Sequence, residues 1–397
     1  MLLSVAASAQ MAPVVTETGQ EAMVCEQQQP WPMGMQWKLD SILRDPLLDQ
    51  TQVGMMVWDL TDNKSLFAFN QRQLLRPAST MKLLTAITAL DQLGGNYQFR
   101  TSLYYKGELT GHTLQGSLYC VGGMDPMFSS DDLREFANSV KRMGIDTIVG
   151  NIVADVSMKD TLKWGEGWCW DDDNPTLSPL LVSRKAGFTS MLANELANAQ
   201  VVLKGRVRGT ETLPAGAVLV SERRHSIDQV LMRMMKDSDN LYAESMFYQT
   251  AASSGRQPAR ALDGARLERA LLERAGLQSS VYRIADGSGL SLYNYLSAEL
   301  EVAILRYAFK RKAIYDHLLP ALPIAAEDGT LKKRMKDTPA AGNVRAKTGT
   351  LTGVVSLAGY CTASNGHRLC FAIINQGVQR AADARDYQDK ICNILCE

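Results

Sequence analysis

The sequence predicts an α+β protein: an antiparallel sheet with helices, built from both ends of the chain and interrupted by a mainly β insert. Three observations carry that prediction. Near the start, two β-rich runs at 53–60 and 65–70 flank the turn Thr61-Asp62-Asn63-Lys64, the pattern of a hairpin. Near the end, runs at 343–349, 353–361 and 368–375 read as strands, and helical periods fill the chain between the two ends. From 96 to 222 the texture changes to short alternating runs at 99–105, 114–120, 148–156 and 201–207, with one helix near 131–143. The expected organisation is therefore a leader over 1–30, a main domain made of 31–95 and 223–397, and an inserted domain over 96–222.

The bulk properties fit a folded globular chain. It has 397 residues, with 46% hydrophobic and 21% charged side chains, which argues against disorder over most of its length. Forty-two Lys and Arg balance forty-two Asp and Glu, so the electrostatic footprint of a nucleic-acid binder is missing and no nucleic-acid partner is expected. No apolar run is long enough for a transmembrane helix. The apolar start at 1–9 ends in Ala7-Ser8-Ala9 ahead of Gln10, the small-x-small pattern of a signal-peptidase site, although no basic segment precedes it. It is read as the remnant of an export signal.

Taken in order, 35–48 reads as an opening helix and the 53–70 hairpin follows. The first strong helix starts after Pro77 with Ser79-Thr80-Met81-Lys82 and ends at Gly94-Gly95. Apolar residues occupy nearly every side of it, which marks it as central and buried. Helices return at 226–235, 241–252 and 259–275, and the chain closes with a helix over 381–396.

A buried helix has little use for a Lys. Ser79 and Lys82 lie three positions apart and so share a face, which joins a hydroxyl nucleophile to an amine base. The amine works as a base only when neutral, and burial and a second cation both favour that form. Lys347-Thr348-Gly349-Thr350 on a predicted strand offers the cation in Lys347, a close approach for substrate at Gly349, and hydroxyls at Thr348 and Thr350. Ser238-Asp239-Asn240 falls in the turn between two helices, where one hydroxyl can relay a proton and one amide can hold a carbonyl. Alone, Ser79 reads as a helix N-cap, Lys347 as a surface cation and Ser238-Asp239-Asn240 as a capping turn. Ser-x-x-Lys, Ser-x-Asn and Lys-Thr-Gly in that order, each once, outweigh those readings.

The trio resembles the signature of penicillin-binding proteins and serine β-lactamases. Pro77-Ala78-Ser79-Thr80-Met81-Lys82, Gly122-Gly123-Met124-Asp125-Pro126, the run Gly167-Trp168-Cys169-Trp170 through Asn174-Pro175, Asp286-Gly287-Ser288-Gly289-Leu290-Ser291 and Glu327-Asp328-Gly329-Thr330-Leu331 narrow it. They resemble the D-alanyl-D-alanine carboxypeptidase/endopeptidase family of class C low-molecular-mass penicillin-binding proteins, over residues 35–380. The resemblance implies a penicillin-binding-protein/β-lactamase-like transpeptidase fold and a serine D,D-peptidase that acts on peptidoglycan stem peptides through an acyl-serine intermediate. It also implies inhibition by β-lactams and a periplasmic or cell-envelope location. Ser79 would be the nucleophile, Lys82 its base and Ser238 the relay. Asn240, Lys347, Thr348, Gly349 and Thr350 would bind substrate, with the backbone N–H groups of Ser79 and Thr350 as the oxyanion hole. Asp155 resembles the family's acidic position for the amine of a diamino acid. The Trp-rich run would reach the active-site mouth from the insert. Two departures stand out: Leu292 where similar chains often carry Arg, and Met124 where Gly is usual. The alternatives are a serine β-lactamase and a catalytically silent cell-wall binding protein.

No metal or cofactor is expected, since the four His lack ligand spacing and the seven Cys lack Cys-x-x-Cys spacing. A two-residue Asn365-Gly366 hairpin would set Cys361 opposite Cys370, open to two readings: a cross-strand disulfide or two buried thiols. Asp286 to Gly289 reads as a structural turn, and the tryptophans as packing between domains.

Overall fold

Residues 30–397 are described by a computed structural model; the apolar start, Cys25 and nearly all of the expected leader lie outside the described residues. The opening helix α1 (Met33–Ile42) stops earlier than expected. Pro46 forces a break, and the Asp45 carboxylate accepts the Leu47 N–H to start a separate 3₁₀ turn at Pro46–Asp49. The hairpin strands β1 (Gln52–Asp59) and β2 (Lys64–Phe69) come next. A 3₁₀ turn at Ala78–Thr80 then leads into α2 (Met81–Leu93). Every residue from Met81 to Leu90 is buried, as the all-round apolar pattern of that helix requires.

The next segment holds β3 (Gln98–Thr110), β4 (Thr113–Gly122), α3 (Ser130–Arg142), β5 (Thr147–Val149), β6 (Ile152–Asp155), α4 (Phe188–Asn198), β7 (Val202–Leu203), β8 (Val207–Thr210) and β9 (Val218–Ser226). These strands form one mixed sheet in the order β7-β5-β4-β3-β9, with β6 also on β4 and β8 on β6. Its core packs Leu103, Leu118 and Ile148 against Phe136 of α3 and Phe188 of α4. Helix α4 escapes sequence reading because Gly187 at its start offers no side-chain cap.

The chain continues through α5 (Ile227–Lys236), α6 (Asn240–Ala252), α7 (Ala261–Arg274), α8 (Ala298–Phe309) and α9 (Lys312–Ala321). It ends in β10 (Arg345–Leu351), β11 (Val354–Thr362), β12 (Arg368–Gln376) and α10 (Ala381–Cys396). The second sheet is antiparallel throughout, in the order β10-β11-β12-β1-β2, so both ends of the chain do meet in it. One face packs on α8, with α2 and α6 in the helical layer beyond it, and α1 and α10 cover the other. Strand β10 is one of the two edge strands, β2 the other.

One expected contact is not formed. Thr362 pairs with Arg368, so the hairpin loop is one residue out of step with a two-residue Asn-Gly turn; the Asn365 side chain accepts the His367 N–H, and Ala363 N–H donates to the His367 carbonyl. That slip sets Cys361 opposite Leu369 and Cys370 opposite Tyr360. Because neighbours on a strand face opposite ways, Cys361 joins the core under α10 and Cys370 the core around α2. The two thiols lie on opposite faces of the sheet and cannot bridge.

Candidate active site

Three elements bring the expected residues together. The 3₁₀ turn before α2 presents Ser79, and the first turn of α2 carries Lys82. The α5–α6 turn supplies Ser238 and Asn240, and the edge strand β10 supplies Lys347. Ala78, directly before Ser79, has φ +49°, and Ser238 has φ +60°. Left-handed backbone is costly for both residue types and persists where the surroundings enforce it, as they do at functional sites. Met124 also has φ +52°, a backbone region that favours glycine.

Lys82 is fully buried, and its Nζ has three partners: Ser79 Oγ at 2.9 Å, Asn240 Oδ1 at 2.8 Å and the Ser288 carbonyl at 2.7 Å. The amide and carbonyl oxygens only accept. A neutral amine therefore gives its two N–H bonds to them and keeps its lone pair for Ser79, the one partner able to donate. Burial pushes the Lys82 ammonium down to about 8, against the pull of Asp286, Glu244 and Asp239.

Lys347, also fully buried, lies 2.8 Å from Ser238 Oγ and 2.7 Å from the Thr348 carbonyl. Burial and the charge of Lys82 hold it well below the ordinary lysine range. The sequence assigns Lys347 the task of depressing Lys82; in the structure burial does most of that, and Lys347 is itself depressed.

Gly349 is required for a reason beyond substrate access. A Cβ there would come within 2.1 Å of Ser356 Oγ, 2.8 Å of the Pro77 carbonyl and 2.9 Å of the Ser79 nitrogen, so only glycine lets β10 lie against the nucleophile turn. Thr80 and Ser356 hydroxyls both donate to that Pro77 carbonyl, at 2.8 Å and 2.5 Å. Thr348 and Thr350 occupy the other strand face. Thr348 Oγ1 meets Thr330 Oγ1 at 2.7 Å, and Thr350 Oγ1 accepts from Arg385 at 3.4 Å.

Asp155 does not join this hydrogen-bonded group. At the end of β6 its carboxylate accepts the Ser157 N–H at 3.0 Å and the Leu213 N–H at 2.7 Å, and it lines a cavity of about 670 Å³ with Lys159, Lys163 and Arg260.

Sequence reading missed three participants. The Ser288 carbonyl is a backbone atom and carries no residue signal. Glu244 lies four positions beyond Asn240 on α6 and accepts the Gly287 and Ser288 N–H groups at 3.1 Å and 2.8 Å, while burial pushes its carboxyl up to about 8. Thr330 sits in a motif already noted, but its contact with Thr348 depends on the fold.

Comparison with known proteins gives a single picture. The D-Ala-D-Ala carboxypeptidase 3 (S13) family matches residues 35–182 and 181–397. The D-alanyl-D-alanine carboxypeptidase DacB of Haemophilus influenzae is 26% identical, over 83% of this chain and 86% of its own length. The D-alanyl-D-alanine carboxypeptidase of an Actinomadura species is 28% identical, over 85% and 80%. Among solved structures, penicillin binding protein 4 of H. influenzae superposes with a TM-score of 0.80 at 22% identity, covering 89% of this chain and 97% of that one. A predatory peptidoglycan endopeptidase from Bdellovibrio bacteriovorus superposes at 0.58 and 15% identity, over 87% and 92%. At these identities the superpositions speak for the fold, an α+β penicillin-binding-protein architecture with an inserted domain.

Proposed function

The chain belongs to the D-Ala-D-Ala carboxypeptidase 3 (S13) family, and from that premise we propose how its residues divide the work. The protein is a serine-type D-Ala-D-Ala carboxypeptidase/endopeptidase that acts on peptidoglycan. The observation that carries the assignment of roles is the set of three partners around Lys82, which leaves the neutral amine a lone pair only toward Ser79.

Lys82 takes the Ser79 proton as Ser79 Oγ attacks the carbonyl between the last two D-alanines of a stem peptide, or that of a D-alanyl cross-link. The N–H groups of Ser79 and Thr350 hold the oxyanion. Ser238, hydrogen-bonded to Lys347, relays that same proton from Lys82 to the departing amine, which leaves Lys82 neutral again, and the acyl-enzyme on Ser79 is then hydrolysed by water. Asn240 spends its oxygen on Lys82, which leaves its NH₂ to donate to the acyl-side amide carbonyl. Lys347 supplies positive charge for the terminal carboxylate, with the Thr348 and Thr350 hydroxyls. Gly349 keeps strand and nucleophile turn in contact, and Asp155 reads the amine of a diamino acid. A β-lactam presents the same carbonyl and carboxylate and acylates Ser79; relatives have been solved with β-lactams bound. Work on peptidoglycan supports a cell-envelope location, periplasmic or otherwise exported. Among the described residues no helix is long and apolar enough to cross a membrane.

Mass spectrometry after treatment with a fluorescent penicillin tests the assignment. A single adduct on the Ser79 peptide, lost in Ser79→Ala, is expected; an adduct elsewhere overturns it. Fast release of hydrolysed penicillin would mark a β-lactamase instead. Free D-Ala from a pentapeptide, against cleavage of a cross-linked dimer, then separates carboxypeptidase from endopeptidase action.

A further inference from the structure

The loop that supplies the Ser288 carbonyl to Lys82 is tied to the inserted segment by one side chain. Asp286 is 1% exposed, and its oxygens accept from Gly289 N–H at 2.8 Å, Ser291 N–H at 2.7 Å, Asn294 Nδ2 at 2.7 Å and Ser288 Oγ at 3.3 Å, all within its own loop. The remaining donor comes from outside: the Trp168 indole N–H, at 2.8 Å. Neighbours of Trp168 press on the same loop. Ser291 Oγ donates to the Glu166 carbonyl at 2.6 Å, Leu292 N–H to the Gly167 carbonyl at 3.3 Å, and Arg283 pairs with Glu166 at 3.2 Å. Gly167 makes the close seating feasible, because a Cβ there would stand 2.8 Å from Ser291 Oγ and 2.7 Å from the Tyr293 ring.

We propose that Asp286 is a positioning residue for the Ser79–Lys82 pair, and that the inserted segment controls it through the Trp168 N–H. The inference rests on the serine-peptidase reading above. Asp286 fixes the backbone from Gly289 to Ser291, and with it the Ser288 carbonyl. That carbonyl holds one N–H of Lys82 and so aims the lone pair at Ser79. Asp286 also acts on Lys82 by charge. The other titratable groups around this amine are Glu244 on α6, Asp239 in the α5–α6 turn, Lys347 on β10, Glu268 of α7, which accepts from Thr85, and Glu301 of α8 beside Thr80.

The test is the rate of penicillin acylation at saturation, with the half-saturating concentration, across pH. Asp286→Asn removes a negative charge, so the Lys82 ammonium loses a stabilising partner. The acid limb of the profile moves about one pH unit lower, and the plateau falls about tenfold from the displaced carbonyl. Trp168→Phe keeps an aromatic ring, though a smaller one than the indole, and loses the N–H donor; it slows acylation about two- to tenfold at unchanged half-saturation. An acid limb that stays in place in folded D286N overturns the role of Asp286, and wild-type acylation in W168F overturns that of the insert. Should D286N fail to fold, W168F alone decides. Wild-type protein that is not acylated on Ser79 would sink the serine-peptidase reading instead, so the two failures are distinguishable.

Discussion

Around α2 the five-stranded sheet and its helices bury Lys82, Lys347, Glu244, Glu268, Asp286 and Glu301, all at 1% exposure or less. The inserted segment buries fewer charged groups, Asp125, Asp155 and Lys159 at 3–5% exposure, beside an aliphatic and phenyl core around Phe128, Phe136 and Phe188, with ring centroids 5.1 Å apart between Phe128 and Phe188. Each buried ion costs several kcal/mol unless it is paired and hydrogen-bonded, whereas apolar burial stabilises directly. A core can carry several such groups only where surrounding donors and acceptors are fixed, and that fixity is what catalysis needs. The contrast therefore separates the part of the molecule organised for chemistry from the part organised for stability.

The largest effect expected on that contrast comes from Lys82→Met, which keeps the volume and removes the base: acylation by penicillin falls by about 10²–10⁴, and stability falls by about 1–3 kcal/mol because the Asn240 oxygen and the Ser288 carbonyl lose their donor. Stopped-flow acylation and a thermal melt read both. Wild-type acylation itself should rise about tenfold per pH unit below about 8, where the fraction of neutral Lys82 grows with pH, and level off above it. A profile flat from pH 6 to 9 would rule Lys82 out as the base.

Gly349→Ala comes next. Its Cβ must displace the Pro77 carbonyl and the Ser79 nitrogen, and a shift of that kind at the nucleophile costs about 100-fold in acylation. Near-normal acylation would show that the nucleophile turn can yield.

Phe136→Ala inverts the pattern. It should cost about 3–5 kcal/mol of stability in denaturant titration, yet leave acylation per folded molecule within about twofold. A parallel fall in acylation would mean that the two regions are not separable.

The smallest effect is expected from Asp155→Asn: β-lactam acylation unchanged, and lower turnover only on peptides bearing a free diamino-acid amine. An equal loss on a substrate without that amine would make Asp155 a purely structural acceptor of the Ser157 and Leu213 N–H groups.

The sequence by itself determined the α+β class and the pairing of an early hairpin with late strands, and it picked out Ser79, Lys82, Ser238, Asn240 and Lys347, which the fold brings into two hydrogen-bonded groups, as the candidate reacting set. Those signals are local: helical and strand periods, and short motifs whose side-chain chemistry is written in the residue types. Only the tertiary structure decided that Cys361 and Cys370 face opposite ways, since a one-residue change in hairpin register reverses every side chain beyond it. It alone decided that a backbone carbonyl at Ser288 completes the lysine site and that Trp168 reaches Asp286 from the insert. A carbonyl has no letter in the sequence, and contacts between residues more than a hundred positions apart are fixed by packing rather than by any periodicity. Burial decided the rest: it sets how readily Lys82 gives up its proton, and it is a property of the whole fold around one side chain.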